Sequence, residues 1–348
     1  MIFINNTSHN PAYNLALEEY LVTRSDGRFA QSDVALLWSN TPTVVIGRNQ
    51  NAAREIDRAY LEAHDISLVR RLSGGGAVYH DAGNINFTVI KRDARSLKNN
   101  FSFFTEPLVQ TLKELGVEAT FSGRNDVLVE GAKFSGNAQY SFGDTLLHHG
   151  TILFDSDMSV LGKVLTPKPR MEDLSTKGVK SHQSRVTNLS SCLTVDRAHF
   201  IEVLARNLVG CSAEEAEFAP VELNAHEIAD VEALAQAKYA TPEWTWGRSP
   251  EYNAVNQARF NAGNIMVCLV LENKVVRKLD IYGDYFEVLP IEEFAQKVVG
   301  HELCEVPDLL KKYDISRYIH ALSNKEFLRL FEDFDNAIRV ERVIADGE

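Results

Sequence analysis

The chain has 348 residues, 45% hydrophobic and 24% charged, with a formal net charge of −12. That is the make-up of an ordinary globular protein with room for two domains at roughly 150 residues each. It excludes a general nucleic-acid binder, which needs a basic surface, and no run approaches the roughly 18 apolar residues of a membrane span.

The four cysteines, Cys192, Cys211, Cys268 and Cys304, are widely spaced and form no C-x-x-C. They fit free thiols in a reducing compartment. Met1 to Asn6 has neither a positive n-region nor a long apolar segment, so the expectation is a cytoplasmic protein without a secretory signal.

In chain order, residues 1–5 predict a short strand. Residues 10–23 predict a helix, because Tyr13, Leu15, Ala16, Leu17, Tyr20 and Leu21 recur at helical spacing and Pro11 suits a first turn. Residues 34–38 and 43–46 are β runs around the turn signal Asn40-Thr41-Pro42, and 56–64 is helical. Residues 66–69 and 85–90 are β runs flanking a polar, glycine-rich stretch. Residues 103–115 form an amphipathic helix ending at Gly116, a natural C-cap residue. Residues 117–121, 126–130, 133–142 and 146–154 read as strands broken by Gly123, Gly131, Gly136 and Gly143. A short helix is predicted at 158–165. Residues 166–191 are rich in Lys, Ser, Thr, Arg and Pro without periodicity, a length that points to function. Helices follow at 195–209 and 225–238.

Two prolines and two tryptophans between Thr241 and Pro250 mark a boundary, giving domains 1–245 and 246–348. The second is read as a small α+β module. Its β runs are 259–260, 265–271 and 275–282, and its helices are 291–299, 306–312, 315–322 and 325–334.

The glycine-rich stretch is Arg70-Arg71-Leu72-Ser73-Gly74-Gly75-Gly76-Ala77-Val78-Tyr79-His80-Asp81. Consecutive amides in such a turn can form an anion-binding concavity, and flanking arginines add bidentate donors. A plain hairpin with solvated arginines is the alternative. No Gly-Lys-Ser/Thr follows, so it is not a P-loop, and it lacks the Gly-x-Gly-x-x-Gly of a dinucleotide site.

Three more stretches hold polar residues that core packing does not require. They are Ser122-Gly123-Arg124-Asn125-Asp126, Lys133-Phe134-Ser135-Gly136-Asn137-Ala138 and residues 177–188. Cations plus backbone amides suit a reaction that develops negative charge on phosphate or carboxylate oxygens. His148-His149 resembles a metal pair, but neighbours on a strand point to opposite faces, which argues against a shared metal.

Taken in order, these motifs resemble the lipoate–protein ligases of the A type. Arg70 to Asn84 resembles their lipoate-binding loop. The Ser122 and Lys133 stretches match the next two motifs. His148-His149-Gly150-Thr151-Ile152-Leu153, the run from Lys177 to Asn188 and Val44-Val45-Ile46-Gly47-Arg48-Asn49-Gln50-Asn51 fit as well. The resemblance implies an α+β fold shared with biotin ligases and class II synthetase cores: a mixed, largely antiparallel sheet with helices, plus a small C-terminal accessory domain. It also implies that lipoate and Mg-ATP form lipoyl-AMP, whose lipoyl group passes to a lysine of an apo lipoyl domain. The acceptors implied are 2-oxoacid dehydrogenase E2 subunits, a glycine-cleavage carrier protein, or both. ATP and Mg²⁺ are required, with no tightly bound prosthetic group, no nucleic acid and no membrane, and a monomer suffices.

Residue by residue, the resemblance puts Lys133 beside the carboxylate and α-phosphate as the catalytic group. Arg71, Gly76, Ala77, Val78 and Tyr79 would hold the nucleotide, with Lys177, Ser181 and Ser184 on a loop closing over the adenylate. Ser73, Gly74, Gly75 and His80 would line the lipoate site. For His80 a structural bond from the turn to Asp81 or Asn84 is the alternative. Asp126 with Asn125 would hold magnesium, although Asx residues also make turns. Leu72 and Tyr79 depart from the commoner family residues, which leaves lipoate against octanoate open. One rival is an ATP-independent octanoyl or lipoyl transferase of the same fold. Such enzymes use a cysteine near the pocket, and none lies between Met1 and Ser191. A catalytically idle lipoate-binding sensor is the other, and the presence of Lys133, Asp126 and the Lys177 loop argues against it.

Overall fold

Helix α1 (Pro11–Thr23) starts where the Asn10 side chain accepts hydrogen bonds from the backbone N–H groups of Ala12 and Tyr13, with Pro11 in its first turn. It lies against a sheet whose alternating side chains sort into two cores. Ala35 and Leu37 of β2 (Val34–Trp38) face one core, and Val34, Leu36 and Trp38 face the other. In this computed structural model, residues 1–24, 26–52, 56–122, 125–164, 186–210, 219–247, 252–332 and 334 are described.

The sheet has seven strands in the order β1-β2-β6-β10-β9-β8-β7. They are β1 (Ile2–Asn5), β2, β6 (Asn84–Lys91), β7 (Ala119–Ser122), β8 (Asp126–Val129), β9 (Ala132–Phe142) and β10 (Thr145–Leu153). β1 runs parallel to β2 and every other pairing is antiparallel. One face packs on Phe104, Leu108 and Leu112 and on Phe200 and Leu204, from the helices Phe101–Glu114 and Arg197–Val209. The other packs on α1 and on Val231, Ala235 and Tyr239. The expected mixed, largely antiparallel sheet covered by helices is what forms. A smaller sheet, ordered β4-β3-β5, joins Ser67–Arg70, Thr43–Ile46 and Val78–His80.

Four local expectations change. The strand Ala132–Phe142 runs unbroken through Gly136, whose missing side chain makes room for Lys133. Val78–His80 is a strand that the glycine-rich composition concealed, paired antiparallel with Thr43–Val45. The helix Ala225–Leu234 continues as a π-helical turn, Ala235–Tyr239, and there Lys238 and Tyr239 both donate to Glu19. Residues 315–322 form no α-helix. Asp314 caps a single 3₁₀ turn, Ile315–Arg317, and Ala321 takes a left-handed φ of 59°.

By internal contacts the chain divides into two units: Met1–Val45, Ala53–Leu72 and Val78–Thr245 in one, and Ile46–Ala52, Ser73–Ala77 and Trp246–Glu348 in the other. Within the second, β11 (Ala254–Phe260), β12 (Gly263–Glu272) and β13 (Val275–Gly283) form an antiparallel sheet. Ile265, Val267, Leu269, Leu279 and Ile281 of this sheet share a core with Phe294, Leu310 and Phe327 of its helices. The same unit holds the short glycine segment. Gly75 N–H donates to Tyr285 O at 3.3 Å, and a Cβ on Gly74 would lie 2.3 Å from that oxygen.

Candidate active site

The strands β6 and β10 are buried on both faces, yet the face towards α1 is polar. Asn84, Asn86, Thr88 and His149 lie there, where apolar residues would pack more simply. Buried polar groups must be hydrogen-bonded, and most of these are. Trp38 Nε1–H donates to Thr88 Oγ1 at 2.9 Å, and Thr88 donates in turn to Glu18 Oε1 at 2.5 Å. Both carboxylate oxygens of Glu18, itself 3% exposed on α1, lie 3.0 Å from His149 Nδ1. The sequence signal for this network was a carboxylate within the apolar run Leu15-Ala16-Leu17-Glu18, and helical periodicity alone did not single it out.

His80 belongs to the same seam. Its Nδ1 faces the amides of Asn40, at 3.1 Å, and Asn86, at 3.5 Å. Asn40 Oδ1 already accepts from Asn14, and Asn86 Oδ1 from Asn84, so both amide NH₂ groups point at the ring. Nδ1 is therefore the acceptor and Nε2 carries the proton. That Nε2–H is buried and meets no hydrogen-bond acceptor among the described residues. Burial first, then the charges of Arg71 and His149, push the His80 pKa down to about 3, so the ring is neutral at physiological pH. The structural bonds are to Asn40 and Asn86 and not to Asp81 or Asn84. Asp81 itself closes the turn, accepting from Gly83 N–H at 2.9 Å and Asp157 N–H at 2.8 Å.

The two arginines of the glycine-rich stretch divide their work. Arg70 forks onto the carbonyls of Trp244 and Thr245 at 3.0 and 2.8 Å, and Trp244 Nε1–H returns a bond to Arg70 O. Arg71 is buried and donates to Val45 O at 3.2 Å. Burial lowers its pKa to about 10, against the nearby Glu18 carboxylate, so it stays charged at neutral pH.

Lys133 and Asp126 come together. In a regular strand Lys133 and Gly136 would face opposite ways, being an odd number of residues apart. The β8–β9 register slips between Val127 and Leu128, so that Val127 pairs with Ser135 but Leu128 with Lys133, leaving Phe134 as an extra residue. Such a bulge re-aims the side chains around it. Phe134 points into the core, and Lys133 lies over Gly136 with Nζ 2.7 Å from Asp126 Oδ1. The contact is an ion pair. Asn125 is clasped by Asn137: Asn125 Nδ2 donates to Asn137 O at 2.6 Å, and Asn137 N and Nδ2 both donate to Asn125 O. The last residues of the 177–188 stretch lie here, with Val186 bridged to Lys133 and Thr187 N–H donating to Lys133 O at 2.9 Å.

Val78 and Tyr79 lie on the strand opposite Val45 and Val44. Ser73, Gly74, Gly75, Gly76 and Ala77 group with the second unit, and among the three glycines Gly75 alone has positive φ, 90°. Lys177, Ser181 and Ser184 fall outside the described residues. His148 and His149 do face opposite sides, His148 stacking on Phe104 in one core and His149 bonding Glu18 in the other. Among the described residues no group of three His, Cys, Asp or Glu side chains is placed to hold a metal ion. No helix among them is long and apolar enough to cross a membrane.

Residues 10–209 match the lipoyl protein ligase A/B catalytic domain, and residues 249–331 match the bacterial lipoate protein ligase C-terminus. The chain is 34% identical over 330 residues to lipoate–protein ligase 1 of Staphylococcus aureus, covering 94% of this chain and 98% of that one. A crystal structure of LipL1 from P. falciparum in complex with lipoate shares the fold, with a TM-score of 0.78 and 22% identity over 94% of this chain and 97% of that one. A lipoate–protein ligase A crystallised with ATP superposes with a TM-score of 0.59 at 25% identity, covering 71% of this chain and 98% of that one. The chain belongs to the lipoate–protein ligase family.

Proposed function

We propose that the protein attaches lipoate to apo lipoyl domains in two steps driven by ATP. A lipoate carboxylate oxygen attacks the α-phosphorus of ATP, and the bond to the β-phosphate breaks to release pyrophosphate. The ε-amino group of an acceptor lysine then attacks the acyl carbon of lipoyl-AMP. AMP leaves, the amine loses a proton and an amide remains. The observation that carries this reading is Lys133, held over Gly136 by a bulge beside Asp126. A compact ammonium so placed stabilises the charge on carboxylate and α-phosphate oxygens in both steps. The ATP-bound relative supports the nucleotide, and the name of the Staphylococcus aureus relative supports lipoate.

Arg71, buried and charged, supplies a second fixed cation for the nucleotide, with Gly76, Ala77, Val78 and Tyr79. The unmatched Nε2–H of His80 is a donor for a ligand oxygen, and Ser73, Gly74 and Gly75 keep the lipoate assignment. Lys177, Ser181 and Ser184 would cover the adenylate. Asp126 and Asn125 suit magnesium. Asp126 Oδ1 is buried and, among the described residues, meets no donor besides the Lys133 ammonium, and Mg²⁺ takes one or two carboxylates with phosphate oxygens and water. The ion would neutralise phosphate charge. The catalytic domain is 1–245 and the accessory domain 246–348. We take the protein to act as a monomer and in the cytoplasm. E2 subunits, a glycine-cleavage carrier or both are the acceptors.

The test combines purified protein, lipoate, Mg-ATP and an apo lipoyl domain, and reads the intact mass of the acceptor. Lipoylation that needs ATP is expected. Equal modification without ATP would replace this reading with the acyltransferase one.

A further inference from the structure

His148 is fully buried and its ring stacks on Phe104, with centroids 4.8 Å apart and planes 9° from parallel. Packing alone would be met by phenylalanine, yet both ring nitrogens are engaged. Gln139 Nε2 lies 3.2 Å from Nδ1, and Asn137 Oδ1 lies 3.2 Å from Nε2. Backbone groups fix the direction of every bond. Asn99 N–H donates to Gln139 Oε1 at 2.8 Å, so Gln139 must turn its NH₂ to the ring. Asn137 Nδ2 donates to Asn125 O at 3.1 Å, so Asn137 must turn its oxygen to the ring. The ring is therefore the Nε2–H tautomer, accepting at one nitrogen and donating at the other. Gly150 makes the arrangement possible, because a Cβ there would lie 2.2 Å from Asn137 Oδ1.

We propose that His148 is a positioning residue for Asp126, acting through Asn137 and Asn125. His148 holds the Asn137 side chain, and Asn137 holds the Asn125 carbonyl with both its backbone and side-chain N–H groups. Asn125 closes the clasp by donating to Asn137 O. The next residue is Asp126, whose carboxylate pairs with Lys133. The core thus fixes the peptide from which the carboxylate projects. This inference rests on the reading of Asp126 as the group that handles Mg-ATP.

Three variants test it: His148→Phe, which keeps the stacked ring and removes both hydrogen bonds, His148→Gln, which restores a donor and an acceptor, and Asp126→Asn. In the ligand-free protein, His148→Phe should speed hydrogen exchange at the Asn137 amide about tenfold, since that amide is bonded to Asn125 O. In adenylate formation it should raise the half-saturating Mg-ATP concentration about tenfold with that for lipoate unchanged, and His148→Gln should recover both within about threefold. Unchanged exchange and Mg-ATP dependence in His148→Phe, or equal losses towards lipoate and Mg-ATP, would overturn the inference. If Asp126→Asn shifts Mg-ATP dependence and His148→Phe does not, the inference alone fails. If Asp126→Asn shifts nothing, the reading of Asp126 fails and the inference falls with it. A readout on the unmutated protein stands apart from folding of the variants: histidine ¹⁵N spectra must show His148 as the Nε2–H tautomer. The Nδ1–H form would leave Asn137 without its donor and end the proposal.

Discussion

Lys133 and Gly136 lie on the same side of one strand although they are three positions apart. The extra residue at Phe134 restores them to a common face, and a Cβ on Gly136 would meet Lys133 Nζ at 2.9 Å and Cε at 3.0 Å. The bulge and the glycine are therefore one device. The first turns the lysine, and the second gives its stem a flat floor from which the ammonium reaches Asp126.

Gly136→Ala should separate the placement of the lysine from its presence. The atoms in the way belong to the end of a flexible side chain, and Gly136 carries no positive φ. Stability by urea unfolding should therefore change by less than about 1 kcal/mol. Pyrophosphate release should fall roughly ten- to a hundredfold, because an ångström of misplacement at a reacting group costs that much. Lys133→Ala should lower it by two to three orders of magnitude with the fold kept, the scale of losing one preorganised electrostatic group. Normal release by Lys133→Ala would remove Lys133 from its role.

Two buried neutral histidines should make stability depend on pH. Burial, with Arg71 and His149, depresses His80 to about 3, and burial, with His149, holds His148 well below its usual value. In the unfolded chain both titrate near 6.5. Below that pH the unfolded state binds protons that the folded state does not, so stability is complete above about 6.5 and declines as the solution is acidified. The His80 ring should cost roughly 2 kcal/mol between pH 7.5 and pH 5, by the linkage of proton binding to folding, and His148 should add a loss of the same sign. Urea unfolding at several pH values measures the slope, and His148→Gln should reduce it by about one proton. An unaltered slope in that variant would show that His148 is protonated in the fold.

Much of the fold and part of the site were legible in the sequence. Strand alternation and helical spacing located the long elements because their apolar faces are continuous, as at Leu15, Leu17 and Leu21 of α1. Short range order was harder to read. Val78–His80 is three residues long and follows glycines, so only its partner at Thr43–Val45 makes it a strand. Gly136 looked like a break because nothing local says that a lysine three residues earlier must pass over it. The motif residues Asp126 and Lys133 were identified as a set, whereas their ion pair depends on the β8–β9 register. Glu18 escaped notice, and the bonds made by Asn137 and His149 were hidden within their motifs, because each partner is distant in sequence: Glu18 and His149 are 131 residues apart.

Arg70 should prove a structural residue. Its fork bonds the carbonyls of Trp244 and Thr245, and Trp244 returns a bond to Arg70 O. A lysine presents one point donor and cannot span two carbonyls in fixed directions. Arg70→Lys should cost about 1–3 kcal/mol, the range for hydrogen bonds to a charged group. Differential scanning calorimetry would show the loss as a lowered Tm. At a temperature where the variant is fully folded, its half-saturating ATP concentration should stay within about twofold of the parent, as expected when no ground-state contact to ATP is lost. A large rise in that value with Tm unchanged would place Arg70 at the nucleotide.

Glu18 should be the most costly polar residue on α1. Its carboxylate accepts from Thr88 and faces His149 Nδ1, and it lies near the buried Arg71 guanidinium. Replacing it by alanine removes this shared carboxylate from a buried region. Loss of one partner from a buried charged network costs about 3–5 kcal/mol, more than the network contributes when intact. Glutamine keeps one acceptor oxygen for Thr88 and introduces NH₂ donors beside His149, so Glu18→Gln should cost less, roughly 1–3 kcal/mol. Because Glu18 and His149 share one contact, their effects should not add. A double-mutant cycle with Glu18→Ala and His149→Ala should give a coupling of about 1–3 kcal/mol in urea unfolding. Additive losses would mean that the 3.0 Å contacts carry no energy.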